Sequence, residues 1–354
     1  MKSTKAWSIG FLILTFVLLA VVGGITVVVD PYFHYHAPLE MLAYPLDNER
    51  YQNDGIVRHF PYDTIITGSS MTENFKTSEC DEIFGVTSVK VPFSGASFKE
   101  VNDNLTRAFA ANPNIQLVIR GLDGNRLTQD KDTMGYEDYP TYLTDDLIWN
   151  DVNYILNKQI LFEATVKVLR NTQAGKESTT FDEYANWTAG FRFGENAILS
   201  NLQRLDPSPD QGSLPENVRE TITGNLTQNV IALAREHPET EFFLFFPPYS
   251  AYYWDWCCRA GKLDQIVESY RLATQLLLQE ENIHVFSFFD EYDMITDPNN
   301  YKDLTHYREE INTQILLWMQ QGEHELIRSN YEGYWQSILE FYRAYDYDHL
   351  YDGE

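Results

Sequence analysis

Ser70 ends the tripeptide Gly68-Ser69-Ser70 inside YDTIITGSSMTENF, residues 62–75, while Asp303 and His306 stand three positions apart in KDLTH near the other end of the chain. A serine hydroxyl is a weak nucleophile until a base accepts its proton. An Asp-x-x-His spacing on one turn of chain lets the carboxylate reach the imidazole Nδ1 proton and leaves Nε2 facing outward. These residue types therefore predict acyl chemistry, with Ser70 as nucleophile, His306 as base and Asp303 as the group that orients the imidazole. Each fragment also has a plainer use: Gly-Ser-Ser as a turn with a helix-capping hydroxyl, and Asp303 with Thr305 as a loop and its cap.

The chemistry requires that elements far apart in sequence end at one edge. Strand signals fall at residues 63–67 (DTIIT), 86–92 (VTSVKVP), 115–122 (IQLVIRGL), in EFFLFF after Thr240, and at 283–289 (IHVFSFF). Between them run helical patterns, among them SFKEVNDNLTRAFAANP with Phe98, Val101, Leu105 and Phe109 on one stripe, and GKLDQIVESYRLATQLLLQEE. Apolar strands separated by helical crossovers predict a parallel sheet in an α/β domain. Open sheets of this kind carry functional residues at the carboxyl ends of their strands, where Ser70 and the KDLTH loop are expected. Residues 126–215 interrupt the rhythm with helical and polar stretches and are expected to form an insertion facing the substrate. REEINTQILLWMQQ reads as a closing helix, and residues 331–354 as a surface helix with an acidic, Tyr-rich end.

Residues 7–29 contain no charged side chain, and as a helix they would extend about 35 Å, enough to cross a bilayer. Lys2 and Lys5 precede this run and Asp30 follows it, so an uncleaved single-pass anchor with a cytoplasmic N-terminus is expected, with everything after residue 30 outside. The expected organisation is an anchor over residues 1–30 and one extracytoplasmic domain over 31–354.

The formal net charge is −26, with 52 acidic against 26 basic residues. Nucleic-acid partners are disfavoured, because phosphate recognition relies on basic patches. Cys80, Cys257 and Cys258 fit neither a metal pattern nor a disulfide framework. His34 and His36 alternate with aromatics but lack a third ligand nearby, so no metal and no cofactor is expected. Arg120, in an otherwise apolar strand, is expected in a structural ion pair in preference to contact with an anionic substrate. The aromatics Tyr249, Tyr252, Tyr253, Trp254 and Trp256 crowd the segment after Pro248 and are expected either to pack or, as a loop beside Ser70, to stack on sugar rings.

The order of Ser70 early and Asp303-x-x-His306 late resembles the SGNH/GDSL hydrolase superfamily over roughly residues 60–320. Within it the chain is most similar to membrane-anchored extracytoplasmic members, the DltD-like proteins of teichoic acid D-alanylation and the AlgX/AlgJ-like alginate O-acetylation proteins. The resemblance implies a three-layer α/β sandwich and gives Ser70 the nucleophile's place after Gly68-Ser69, where the superfamily has Gly-Asp. It gives Gly95 of FSGAS an oxyanion-binding N–H beside that of Ser70. The third block, usually Gly-x-Asn-Asp, is here GLDGN, so Asp123 and Asn125 are the candidates for its role. Loss of one oxyanion donor typically costs about 3–4 kcal/mol, which favours a specialised transferase over a fast general esterase. The implied function is a serine esterase or O-acyltransferase on an envelope glycan or teichoic-acid-like polymer, with a membrane acyl-donor transporter as a partner. The alternative is a catalytically inactive glycan-binding or scaffold subunit of such a modification complex.

Overall fold

A computed structural model describes residues 2–145, 147–200 and 202–351. The chain divides into two compact units, Met1–Phe60 with Asp138–Thr180, and Pro61–Glu137 with Phe181–Glu354.

The first unit contains the helix Lys2–Val29, whose residues 4–29 are long and apolar enough to cross a membrane. The helix ends on Asp30, whose backbone takes a φ of 44° and whose N–H still donates to the Thr26 carbonyl. The Asp30 side chain is fully buried and is therefore not the free flanking charge that its position suggests. It accepts from the backbone N–H groups of His34, Tyr35 and His36 at 3.0, 2.7 and 3.0 Å, and from the Tyr154 hydroxyl at 2.6 Å. One carboxylate thus folds the chain back at the helix end and ties it to a small core of Leu143, Tyr154 and Ile160. Charge-assisted bonds of this kind are worth about 1.5–3 kcal/mol each, and removing their shared acceptor strands buried donors. Asp30→Ala is expected to raise amide hydrogen exchange at His34, Tyr35 and His36 by about a hundredfold or more. His34 turns its ring to Asp151, and His36 turns its ring to the carbonyls of Ala37 and Val27.

The second unit is built on a six-stranded sheet: β1 (Thr64–Gly68), β2 (Ser88–Pro92), β3 (Leu117–Gly121), β4 (Glu241–Phe246), β5 (Ile283–Ser287) and β6 (Glu325–Leu326). The spatial order is β2-β1-β3-β4-β5-β6, parallel throughout except for the last pair. Every residue of β1, β2 and β3 is buried, the polar Thr64, Thr67, Ser88, Lys90 and Arg120 included. The two cations in these strands donate to carbonyl oxygens, although Arg120 Nε has no partner among the described residues. Lys90 Nζ donates to the carbonyls of Glu73 and Phe75, and Arg120 donates to those of Asn229 and Phe98 at 2.8 and 3.0 Å. Burial lowers the Arg120 guanidinium to about 9. These bonds tie β3 to helical segments that precede and follow it in sequence, and the expected ion pair is replaced by backbone capture.

The strand order changes direction between β1 and β3, and the carboxyl ends at such a switch point are where parallel sheets place their functional residues. Gly68 ends β1 there with a φ of +149°. A Cβ at this position would lie 2.8 Å from Thr72 Cγ2 and 3.2 Å from the Gly121 backbone nitrogen. Conformation and space both demand glycine, and Gly68→Ala is expected to cost about 2–3 kcal/mol, read as a lowered denaturant midpoint.

Candidate active site

Leaving β1, the chain makes a tight 3₁₀ turn, Ser70–Thr72, in place of a regular helix. The two adjacent serines divide the work. Ser69 is the cap: its Oγ accepts the Met71 N–H at 3.3 Å and donates to Asp123 Oδ2 at 2.5 Å, while its carbonyl accepts the Thr72 hydroxyl at 2.8 Å. Ser70, only partly buried, is left to project from the turn. Its Oγ lies 2.9 Å from His306 Nε2.

His306 is supplied by the segment that follows β5. An isolated antiparallel bridge between Tyr301 and Tyr307 closes this loop, and the Lys302 N–H donates to the His306 carbonyl at 3.0 Å. The loop is fastened to the end of β4 by the Ser250 backbone N–H and hydroxyl, which both donate to the Leu304 carbonyl, and by the Tyr301 hydroxyl, which donates to the Pro248 carbonyl. Within it, Asp303 Oδ2 lies 2.9 Å from His306 Nδ1, and Oδ1 also accepts the backbone N–H groups of Thr305 and His306, each at 2.9 Å. A carboxylate facing Nδ1 fixes the proton there, and Nε2 presents a lone pair to the Ser70 hydroxyl. Burial raises the Asp303 carboxyl, but the bonds from His306 and from the two N–H groups outweigh it and hold the group at about 2.

Asp123 stands at the carboxyl end of β3, next to β1. It is buried, receives Ser69 on one oxygen and the Tyr249 hydroxyl on the other at 2.8 Å, and thereby joins the ends of β1, β3 and β4. Burial and then the Asp123 charge push the Tyr249 hydroxyl far up, so it remains a donor. Asp123→Ala would leave two buried hydroxyls unpaired, and a stability loss of about 2–4 kcal/mol is expected in urea unfolding. Asn125 points elsewhere: it is exposed and lines a cavity of about 550 Å³ together with Leu214, Tyr253, Trp256, Leu304 and Thr305. Gly95 adopts a φ of 68°, and its carbonyl accepts from Arg126 Nη2 at 2.9 Å. Among the described residues, the backbone N–H groups of Ser70 and Gly95 have no acceptor in the protein.

Several residues at the site lie outside the sequence-based set. Ser69 and Tyr249 were expected as a turn residue and an aromatic, yet both are Asp123's partners. Trp187 meets the His306 ring edge-on, with centroids 5.5 Å apart, and its backbone N–H donates to Asn74 Oδ1 at 3.1 Å. Lys302 places its ammonium 3.6 Å from the Trp187 ring centroid and 3.8 Å from that of Phe191. Position relative to strand ends would have singled out Tyr249, which follows Pro-Pro directly after β4; nothing local marks Trp187. The aromatic segment after Pro248 is not a loop. It forms the helix Ala251–Arg259, with Tyr252 and Trp254 buried and only Tyr253 and Trp256 reaching the cavity. Cys80, Cys257 and Cys258 are free thiols, and among the described residues no group of three His, Cys, Asp or Glu side chains could hold a metal ion.

No protein-family model matches the chain. No curated protein matches it either. Among solved structures, the chain is similar to one from Streptococcus pneumonia described as a candidate platelet activating factor, at 11% identity over 77% of this chain and 89% of that one, with a TM-score of 0.39.

Proposed function

We propose that the chain is a serine esterase or O-acyltransferase of the SGNH type, a three-layer α/β domain in which Ser70, His306 and Asp303 act in sequence on an ester. The observation that carries this reading is the continuous chain of short contacts from the Ser70 hydroxyl through both imidazole nitrogens to a carboxylate, at the carboxyl edge of a parallel sheet. His306 Nε2 takes the Ser70 proton as Oγ attacks the ester carbonyl. The resulting oxyanion is received by the N–H groups of Ser70 and Gly95, and Asp303 stabilises the imidazolium. The proton then passes to the leaving alcohol, and the acyl group remains on Ser70. An acceptor hydroxyl gives its proton to His306 and attacks the acyl-enzyme, restoring the serine; water yields hydrolysis and a sugar hydroxyl yields transfer. Tyr253 and Trp256 at the cavity wall suit either an apolar acyl group or the face of a sugar ring.

The substrate proposed is an O-acylated envelope polymer, with the apolar N-terminal helix as the membrane anchor. Lys2 and Lys5 before that helix favour a cytoplasmic N-terminus. A fluorophosphonate probe tests the reading directly. An adduct mapped to Ser70 and lost in His306→Ala is expected; a folded protein that forms no adduct would instead be a binding or scaffold subunit.

A further inference from the structure

The first unit carries apolar surface that the candidate active site does not use. Ile148, Trp149 and Phe162 are 79%, 92% and 64% exposed, and Leu147, Val152 and Leu156 are exposed beside them. They surround the short helix Val152–Ile155 and the π-helical turn Ile160–Thr165. Asn153, Lys158 and Gln159 are exposed among them, so the segment is amphipathic, and a grouping of exposed apolar side chains of this size marks an interaction surface.

Both elements pack on the N-terminal helix. Gly23 is a point of close approach: a Cβ there would lie 2.6 Å from Ile155 Cγ2 and 3.8 Å from Leu156 Cδ2. This contact sets the depth of the patch. The uncharged run of residues 7–29 yields about 35 Å of helix, whereas the hydrocarbon core is about 30 Å thick and takes up about 20 residues. Wherever a membrane is centred on that run, its core extends past Gly23. Ile155 and Leu156 then lie at hydrocarbon level. At the same level of the N-terminal helix, Ile25 and Val28 are also exposed. Asp151, the acidic residue of this short helix's start, is turned inward to the Tyr35 hydroxyl at 3.0 Å and the His34 ring at 3.4 Å.

We propose that residues 147–162 form an interfacial wedge seated in the lipid leaflet nearest the Val29 end of the helix, and that the partner of this patch is the bilayer itself. Trp149 lies at headgroup level, where amphipathic indole rings concentrate, and Ile148, Val152 and Phe162 enter the acyl region. The wedge gives the unit a second membrane attachment and fixes its rotation about the helix axis. This inference rests on the N-terminal helix spanning a membrane and is independent of the proposed catalysis.

The test uses the full chain in phosphatidylcholine vesicles. An environment-sensitive fluorophore is attached in a Cys258→Ser background at Trp149→Cys, at Val17→Cys within the helix, or at Lys176→Cys on an exposed site of the same unit. Vesicles with and without nitroxide-labelled acyl chains are compared. The expected result is a blue-shifted emission at position 149, with quenching below that at 17, as a headgroup-level site requires, and far above that at 176. A label at 149 that behaves like the one at 176 while 17 is quenched would overturn the wedge. A blue shift at 149 without quenching by lipid nitroxides would overturn it as well, and would assign the patch to a second copy or another protein. Absence of quenching at 17 would remove its premise.

Discussion

Ser70→Ala is expected to lower kcat for ester cleavage by about 10⁴- to 10⁶-fold, with a much smaller change in KM, and to abolish fluorophosphonate labelling. The size follows from the division between the two serines. Ser70 Oγ contacts His306 Nε2 at 2.9 Å and serves no cap, so its removal deletes the proposed nucleophile while the turn keeps its bonds. Ser69→Ala makes the contrast. Its hydroxyl joins Asp123 and caps Met71, so its loss is expected to cost about 1–3 kcal/mol of stability and to leave the probe reactive. Should Ser69 rather than Ser70 carry the adduct, the assignment of roles in this turn would be reversed. Residual activity in Ser70→Ala would come from oxyanion donors and binding alone.

The parts of this site that could be read from sequence are those fixed by local chemistry. β1 to β5 lie within one or two residues of the strand signals that predicted them, because strands in a largely buried parallel sheet are rich in β-branched and aromatic residues and end at turns. The convergence of Ser70, Asp303 and His306 could be anticipated from residue type and from their place after strands. β6 spans two residues and pairs antiparallel with β5, too short to leave a periodicity. The grouping of residues 138–180 with the first sixty was not visible either. It depends on Asp30 binding Tyr154 and on side chains packing around Tyr154, a match between positions 124 apart with no local signature. Asp123 is an intermediate case. Sequence suggested a role near the oxyanion, but the register that sets Thr67 beside Arg120 carries the ends of β1 and β3 forward together, and the carboxylate meets Ser69 instead. A departure at two motif positions, Ser for Asp and Asp in the third block, becomes one hydrogen bond in space.

Asp303→Asn is expected to reduce kcat by about 10⁴-fold at neutral pH while substrate binding stays nearly unchanged. The Asp303 carboxylate accepts the Nδ1 proton and two backbone N–H groups at once, and an amide at that position can turn its NH₂ toward the ring and favour the tautomer whose Nε2 carries the proton. Nε2 then cannot accept from Ser70. Stability provides a second readout with a defined sign. Burial raises the Asp303 carboxyl, but the hydrogen bonds bring it to about 2, below its unfolded value near 4, so its contribution is fully present above about pH 5 and is lost as pH falls toward 2. Because its side chain is 42% exposed, solvent screening limits that contribution to about 1 kcal/mol. The urea midpoints of wild type and Asp303→Asn should therefore differ slightly at pH 7 and converge near pH 2. Kinetics should show a far larger gap, and adding Asp303→Asn to Ser70→Ala should cost almost nothing more, since a base without a nucleophile has no proton to take. A double variant whose losses multiplied would mean that Asp303 acts through something other than Ser70.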